Sequence, residues 1–277
     1  MNENAPLKTK LQVSNGYFLK FDQIARLLAA AQNDERARIP QVDLADKLGF
    51  ARRQIENLSS LAQALGILVP VKLKPTPLGS LIAARDAFFD DLGTLWFLHY
   101  SICSEPRFLI WNRFANEFMP RKSTFSYADL RASYADIENT HSQYTARKHV
   151  TAETKTILDA YTEQNFSRLA YLRQDGDSYG LSYREAIPPL VLAAMITRYR
   201  DRHHPGTTAI SIEELLTAPN SPGWVCQIPE DRMRKTLESL KNVPGFSLES
   251  RADLDQLRLT SEVEDYQWME RYFTRIE

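Results

Sequence analysis

Residues 40 to 82, PQVDLADKLGFARRQIENLSSLAQALGILVPVKLKPTPLGSLI, constrain this chain more than any other stretch. Leu44, Ala45 and Leu48 recur at helical spacing. Gly49 follows as a tight turn, and Ile55, Leu58, Ala62 and Leu65 share one face of a second helix. Gly66 ends that helix. Ile67 to Val71 and Lys72 to Lys74 read as a short hairpin, and Thr76 is placed to cap a helix opening at Pro77. Short helix, turn, second helix, hairpin, next helix is the order of a winged helix-turn-helix. The outer face of the second helix begins with Arg52, Arg53, Gln54 and Asn57. Side chains of these types reach phosphates and base edges when a helix lies in the major groove of double-stranded DNA. Lys72 and Lys74 on the wing would hold phosphates at the groove edge. Winged units also serve as protein–protein modules, and an Arg-Arg pair is commonly a solvated face.

The same order recurs twice, without obvious sequence identity. Ser126 is placed to cap a helix over 127–137, a second helix is expected from Arg147 to Glu163, and a hairpin follows with Asp175-Gly176 as its turn. Arg147 and Lys148 open that second helix with His149, and Lys155 lies two turns on. They form a second candidate DNA surface. In the third copy Ser211 precedes IEELL, Pro229 opens a helix, and FSLES and QLRLT flank the turn RADLD. Between the copies lie Leu92 to Cys103, almost wholly apolar, and Pro106 to Met119, which carries Phe108, Trp111, Phe114 and Phe118; both read as buried connecting helices. The expected fold is therefore mainly α with small β-hairpin wings: tandem winged helix-turn-helix units joined by buried connecting helices. The boundaries are residues 1–90 for the first unit, 91–125 for the connecting helices, 126–187 for the second unit and 188–277 for the third.

Chemistry-bearing patterns are sparse. His99 and Cys103 lie four apart on an apolar helix and read as core residues, because two ligands make no zinc site. Asp175 with Asp177 and Asp253 with Asp255 fall in predicted turns, where Asp is favoured. There is no GxSxG, no GxxxxGK[ST] and no GxGxxG. No catalytic residue, cofactor or metal is expected. The chain lacks an apolar run of membrane-spanning length, and its first residues, MNENAPLKTKLQ, carry no secretory signal. Cys103 and Cys226 read as reduced thiols of a cytoplasmic protein. A net charge of −1 is unusual for a protein that grips many phosphates. The distribution is uneven: +4 over residues 1–80 and −3 over 191–277. Contact with DNA is thus expected to be local, and the acidic end suits a protein partner.

Three phrases carry a resemblance. Thr76 to Gly79 (TPLG), Thr94 to His99 (TLWFLH) and Phe114 to Phe118 (FANEF), with SIEELLTAPNSPGW near the C-terminus, resemble an uncharacterised bacterial family of defence islands. SNGYFLKF stands where that family has a phrase resembling FxGHETF. Its members lie beside PAPS-reductase-like enzymes and DNA-sulfur modification genes. The resemblance implies a non-catalytic DNA-binding accessory protein of a DNA-modification or anti-phage defence system. Two alternatives stay open: a scaffold that recruits an enzyme subunit, and a transcriptional repressor of its own operon, which would need a symmetric dimer.

Overall fold

A computed structural model describes residues 9–276 except 140, 183–185, 252–253 and 260–261. It is mainly helical, with two small three-stranded antiparallel sheets. Three segments share one order of elements. In the first, α1 (Phe21–Gln32) is followed by α2 (Gln41–Leu48) and α3 (Arg52–Ala64). Gly49 joins α2 to α3 at φ +67°, a left-handed conformation that costs glycine little. The hairpin after α3 is minimal: one bridge, Leu68 to Pro75, with Val69 N donating to Lys74 O at 2.8 Å. Ile39, just ahead of α2, donates its N–H to Lys72 O at 3.0 Å and so adds a third extended segment. The hairpin runs directly into α4 (Pro77–Arg85). Thr76 Oγ1 caps α4 by accepting from Gly79 N, and donates to Gly66 O. A Cβ on Gly79 would lie 2.1 Å from the Ile67 carbonyl oxygen, so only glycine lets α4 cross the hairpin. That close approach accounts for the TPLG phrase.

Two central helices come next, α5 (Leu92–Cys103) and α6 (Leu109–Arg113). α5 is buried from Gly93 to Cys103. The helix expected over 106–119 is α-helical only over α6, then widens into a π turn over Phe114–Phe118. Asn116 sits in that turn and holds a loop of the third segment, around Asn220. Its Oδ1 accepts from Asn220 N at 2.7 Å, and its carbonyl accepts from Trp224 Nε1 at 2.9 Å. Asn112 Nδ2 and Tyr100 Oη also bond Asn220.

The second segment contains β1 (Thr124–Ser126), α7 (Tyr127–Ala132), α8 (Gln143–Thr162), β2 (Leu172–Asp175) and β3 (Ser178–Leu181). Ser126 caps α7 in a reciprocal box with Asp129. The helix stops at Ala132 rather than Ile137, and a 3-10 turn, Ala135–Asn139, follows. α8 begins at Gln143, four residues earlier than expected, because Ser142 accepts from Thr145 N. The hairpin turn is Gly176-Asp177, one residue later than expected. The third segment has α9 (Pro189–His203), β4 (Ala209–Ser211), α10 (Ile212–Thr217), α11 (Pro222–Cys226), α12 (Glu230–Ser239), β5 (Phe246–Arg251) and β6 (Leu254–Leu259). The turn residues Ala252 and Asp253 lie outside the described residues. α13 (Asp265–Ile276) packs on α9 and α4, and Arg198 pairs with Asp265 at 2.6 Å. Both sheets have the same connectivity: the strand ahead of the short helix pairs with the second strand of the hairpin, in the orders β1-β3-β2 and β4-β6-β5.

One buried carboxylate ties these parts together. Glu153 of α8 is fully buried and accepts from Val13 N (2.8 Å), Ser14 N (2.7 Å), Ser14 Oγ (2.7 Å) and Trp111 Nε1 (3.0 Å). Burial pushes its carboxyl above the usual glutamate range, and the hydrogen bonds from Ser14, Trp111 and Val13 pull it back. Glu153→Ala would leave three buried N–H donors unpaired and is expected to cost about 3–5 kcal/mol. Urea unfolding followed by circular dichroism measures this. A destabilisation under about 1 kcal/mol would mean that this carboxylate does not organise the fold.

Candidate nucleic-acid interface

The first segment exposes fewer polar groups than its sequence promises. Arg52 and Arg53 are exposed at the start of α3, but Arg52 pairs with Glu56 one turn on, at 3.3 Å. Gln54 is half-buried and donates to Gln23 Oε1 of α1 at 3.0 Å. Asn57 is only 1% exposed, which corrects its placement on the outer face. It lies in line with Leu61 and Ala64, and its Oδ1 accepts from Asn15 Nδ2 at 2.7 Å. The segment Ser14 to Gly16 covers that side of the helix. Lys72 is exposed at the hairpin tip. Lys74 is not available as a wing cation, a second correction: its Nζ bonds the carbonyls of Ala31 and Asp34 at the end of α1. A positive charge at a helix C-terminus is favoured by the helix dipole. What remains on α3 is two arginines and a glutamate.

The second segment gathers more. The Glu153 anchor fixes which face of α8 turns inward, together with Val150, Ile157 and Tyr161. The opposite face presents Tyr144, Arg147, Lys148, Thr151 and Lys155, spaced three or four residues apart. These span about 16 Å of helix. Tyr144 is 77% exposed, and the exposed and half-buried positions of α8 from 143 to 155 include no acid. His149 beside them is held below the ordinary histidine range by burial, then by the charges of Lys148 and His141.

Three depressions adjoin one another along this face. The first, between α7 and α8, holds Arg131 and Arg147. It shares Ala132 with a second that holds Arg113, Arg121 and Lys122 beside Glu117 and Asp129, and Arg147 with a third that holds Tyr144 and Lys148. Among the described carboxylates here, Asp136 and Glu117 accept from Arg113, while Asp129 accepts from the neutral Ser126 and keeps its charge. Arg121, Lys122, Arg131, Arg147, Lys148 and Lys155 thus form a basic surface on a chain of net charge −1. Lys155 was legible at helical spacing from Lys148. Tyr144 and Thr151 were not singled out, although they fall at −4 and +3 from Lys148 on the same line.

The remaining candidates for chemistry are closed. His99 is fully buried with Nδ1 on the Tyr161 hydroxyl, and burial holds it at about 3, so it is neutral. Burial pushes the Cys103 thiol up to about 12, so it is no nucleophile at neutral pH. Asp255 accepts from Arg234 Nη2 at 2.7 Å. Among the described residues no three His, Cys, Asp or Glu side chains converge on a metal position, and no helix is long and apolar enough to cross a membrane.

Residues 27–273 match the model of a family described as a protein of unknown function, DUF4007. The chain belongs to this family. No curated protein matches it. Two solved structures are similar over nearly the whole chain. An SspB crystal structure is 16% identical with a TM-score of 0.75, covering 98% of this chain and 90% of that one. A magnesium ion-bound SspB crystal structure is 17% identical with a TM-score of 0.74, covering 95% of this chain and 88% of that one. At this identity the likeness shows the fold.

The two basic faces make different demands on mutagenesis. Lys148→Gln with Lys155→Gln is expected to weaken binding of a labelled DNA duplex by about 2 kcal/mol at low salt, at about 1 kcal/mol for each phosphate left without its cation. Arg52→Ala with Arg53→Ala is expected to weaken it less. Fluorescence anisotropy compares them, and the reverse ranking would return the principal DNA-binding face to α3.

Proposed function

We propose that this protein is a non-catalytic, cytoplasmic DNA-binding accessory protein of a bacterial DNA-modification or anti-phage defence system. It is built of three winged helix-turn-helix units, with α8 as the helix that enters the major groove. The observation that carries the reading is the acid-free basic stripe of α8, continued by Arg121, Lys122 and Arg131 around α7. In a winged unit the second of the paired helices reads the groove while the hairpin lies alongside. In the second segment those parts are α7, α8 and β2–β3, and the strand order β1-β3-β2 fits that architecture. The third segment repeats the order, and the first reduces the sheet to Ile39 and the bridge at Leu68 and Pro75. Assignment to a defence system rests on the resemblance of the TPLG, TLWFLH and FANEF phrases. The similarity to SspB supports the same fold. The acidic third unit is the surface on which an enzyme subunit would be recruited.

A second reading is favoured by one observation: one of the similar SspB structures is described as magnesium ion-bound. Magnesium is held by one or two carboxylates together with substrate phosphates, so a site completed by DNA needs no preformed cluster. In that reading the protein performs metal-assisted chemistry on the phosphodiester.

Two measurements separate these readings. Anisotropy of a labelled duplex titrated at several salt concentrations is expected to give a slope of log K on log salt of about −3 to −5, from three to five phosphates neutralised. No binding at low salt would leave the scaffold reading. Incubation with supercoiled plasmid and magnesium is expected to leave the plasmid intact. Conversion to nicked circles would replace the accessory reading with the enzymatic one.

A further inference from the structure

We propose that the depression between α7 and α8 takes a single nucleobase displaced from the duplex that α8 grips. This rests on the DNA-binding reading of α8 and adds the part of the DNA that is recognised. The depression is about 480 Å³, within the range of small-molecule sites. Its floor is largely alanine: Ala128, Ala132, Ala135 and Ala146, with Val150 and the buried ring of Tyr134, whose hydroxyl donates to the Ile110 carbonyl. The alkyl groups offer no donor and no acceptor. A bare phosphate finds nothing to bond on such a floor, whereas the face of a planar ring finds van der Waals contact. The rim carries Tyr127, Arg131 and Arg147. An aromatic ring and guanidinium planes are the groups on which unstacked bases rest.

Position supports the same occupant. Arg113, Arg121 and Lys122, together with Glu117 and Asp129, line one adjoining depression, and Lys148 with Tyr144 lines the other. A strand whose phosphates follow those cations passes over the alanine floor. An apolar side chain from a protein partner would fill the same volume, but the flanking charge would then face nothing complementary. Charge on both sides of an apolar floor matches a nucleotide, whose backbone is anionic and whose base is not. Removing a base from a paired duplex costs a few kcal/mol, and least where the base is already unpaired. The protein should therefore prefer DNA that carries an unpaired base.

The test uses the full chain and two labelled duplexes, one fully paired and one with a single extra unpaired adenine. The bulged duplex is expected to bind about tenfold tighter. Ala132 is exposed, and Ala132→Phe fills the depression from that position. It is expected to equalise the two affinities. Ala128→Leu, also at an exposed position, is the second filling variant should the first lose its circular dichroism spectrum. Lys148→Gln with Lys155→Gln is expected to weaken both duplexes while keeping their ratio. Equal affinity of the unaltered protein for both duplexes would overturn the base pocket while leaving the DNA-binding reading in place, and would assign the depression to a protein side chain. A preference that survives both filling variants would also overturn it. No binding of either duplex would overturn both readings together.

Discussion

The carboxylate of Glu153 is the interaction on which the rest of the structure depends. It sits at the middle of α8 and bonds the N-terminal segment at Val13 and Ser14 and the indole of Trp111 in α6. A buried acceptor with four donors is demanding, since removing the acceptor strands donors in a medium without water. The arrangement fixes the rotation of α8 about its own axis. It also seats Ser14 to Gly16 against α3, where Asn15 covers Asn57. One ionisable group thus decides which face of each of two helices is exposed.

Around this point the apolar connecting helices do the packing. Trp96, Phe97, Trp111 and Phe114 are fully buried, and Tyr161 and Tyr171 pack among them with tilted rings. Asn220, half-buried at the edge of this core, is held there through its backbone and side chain by Tyr100, Asn112 and Asn116. The π turn at Phe114–Phe118 leaves the Asn116 carbonyl able to accept the Trp224 indole. A widened turn in a helix thereby becomes a junction with the third segment.

Electrostatics of the surface follow from which charges are already spent on structure. Arg113 binds Glu117 and Asp136, and Arg198 binds Asp265. Lys74 closes the end of α1. The overall charge near zero says little about a local field, because interactions beyond about 8–10 Å are screened at physiological salt. A stripe of basic residues on α8 acts on a phosphate within that range regardless of the acidic third segment.

Much was legible in the linear chain. Helical spacing located α3, α5, α8 and α12, and Ser126, Ser211 and Thr76 mark helix starts that their side chains do cap. Glu153 lies three residues after Val150 and four before Ile157, so its burial was written in the periodicity, although its partners were not. These features are set locally, by dihedral preferences and hydrogen bonds to nearby backbone. The candidate site was legible in part: Arg147, Lys148 and Lys155 share a face at helical spacing, whereas Asn57 and Lys74 were drawn inward. Their partners lie 42 and 40 residues away in sequence, and those of Glu153 lie up to 140 residues away. Sequence alone determined the order of most helices and hairpins and the caps at Thr76, Ser126 and Ser211, but not α1, α11 or the π turn. Only the tertiary structure decided which cations face solvent, because exposure is set by whatever distant segment packs against a helix, and that pairing leaves no periodic trace.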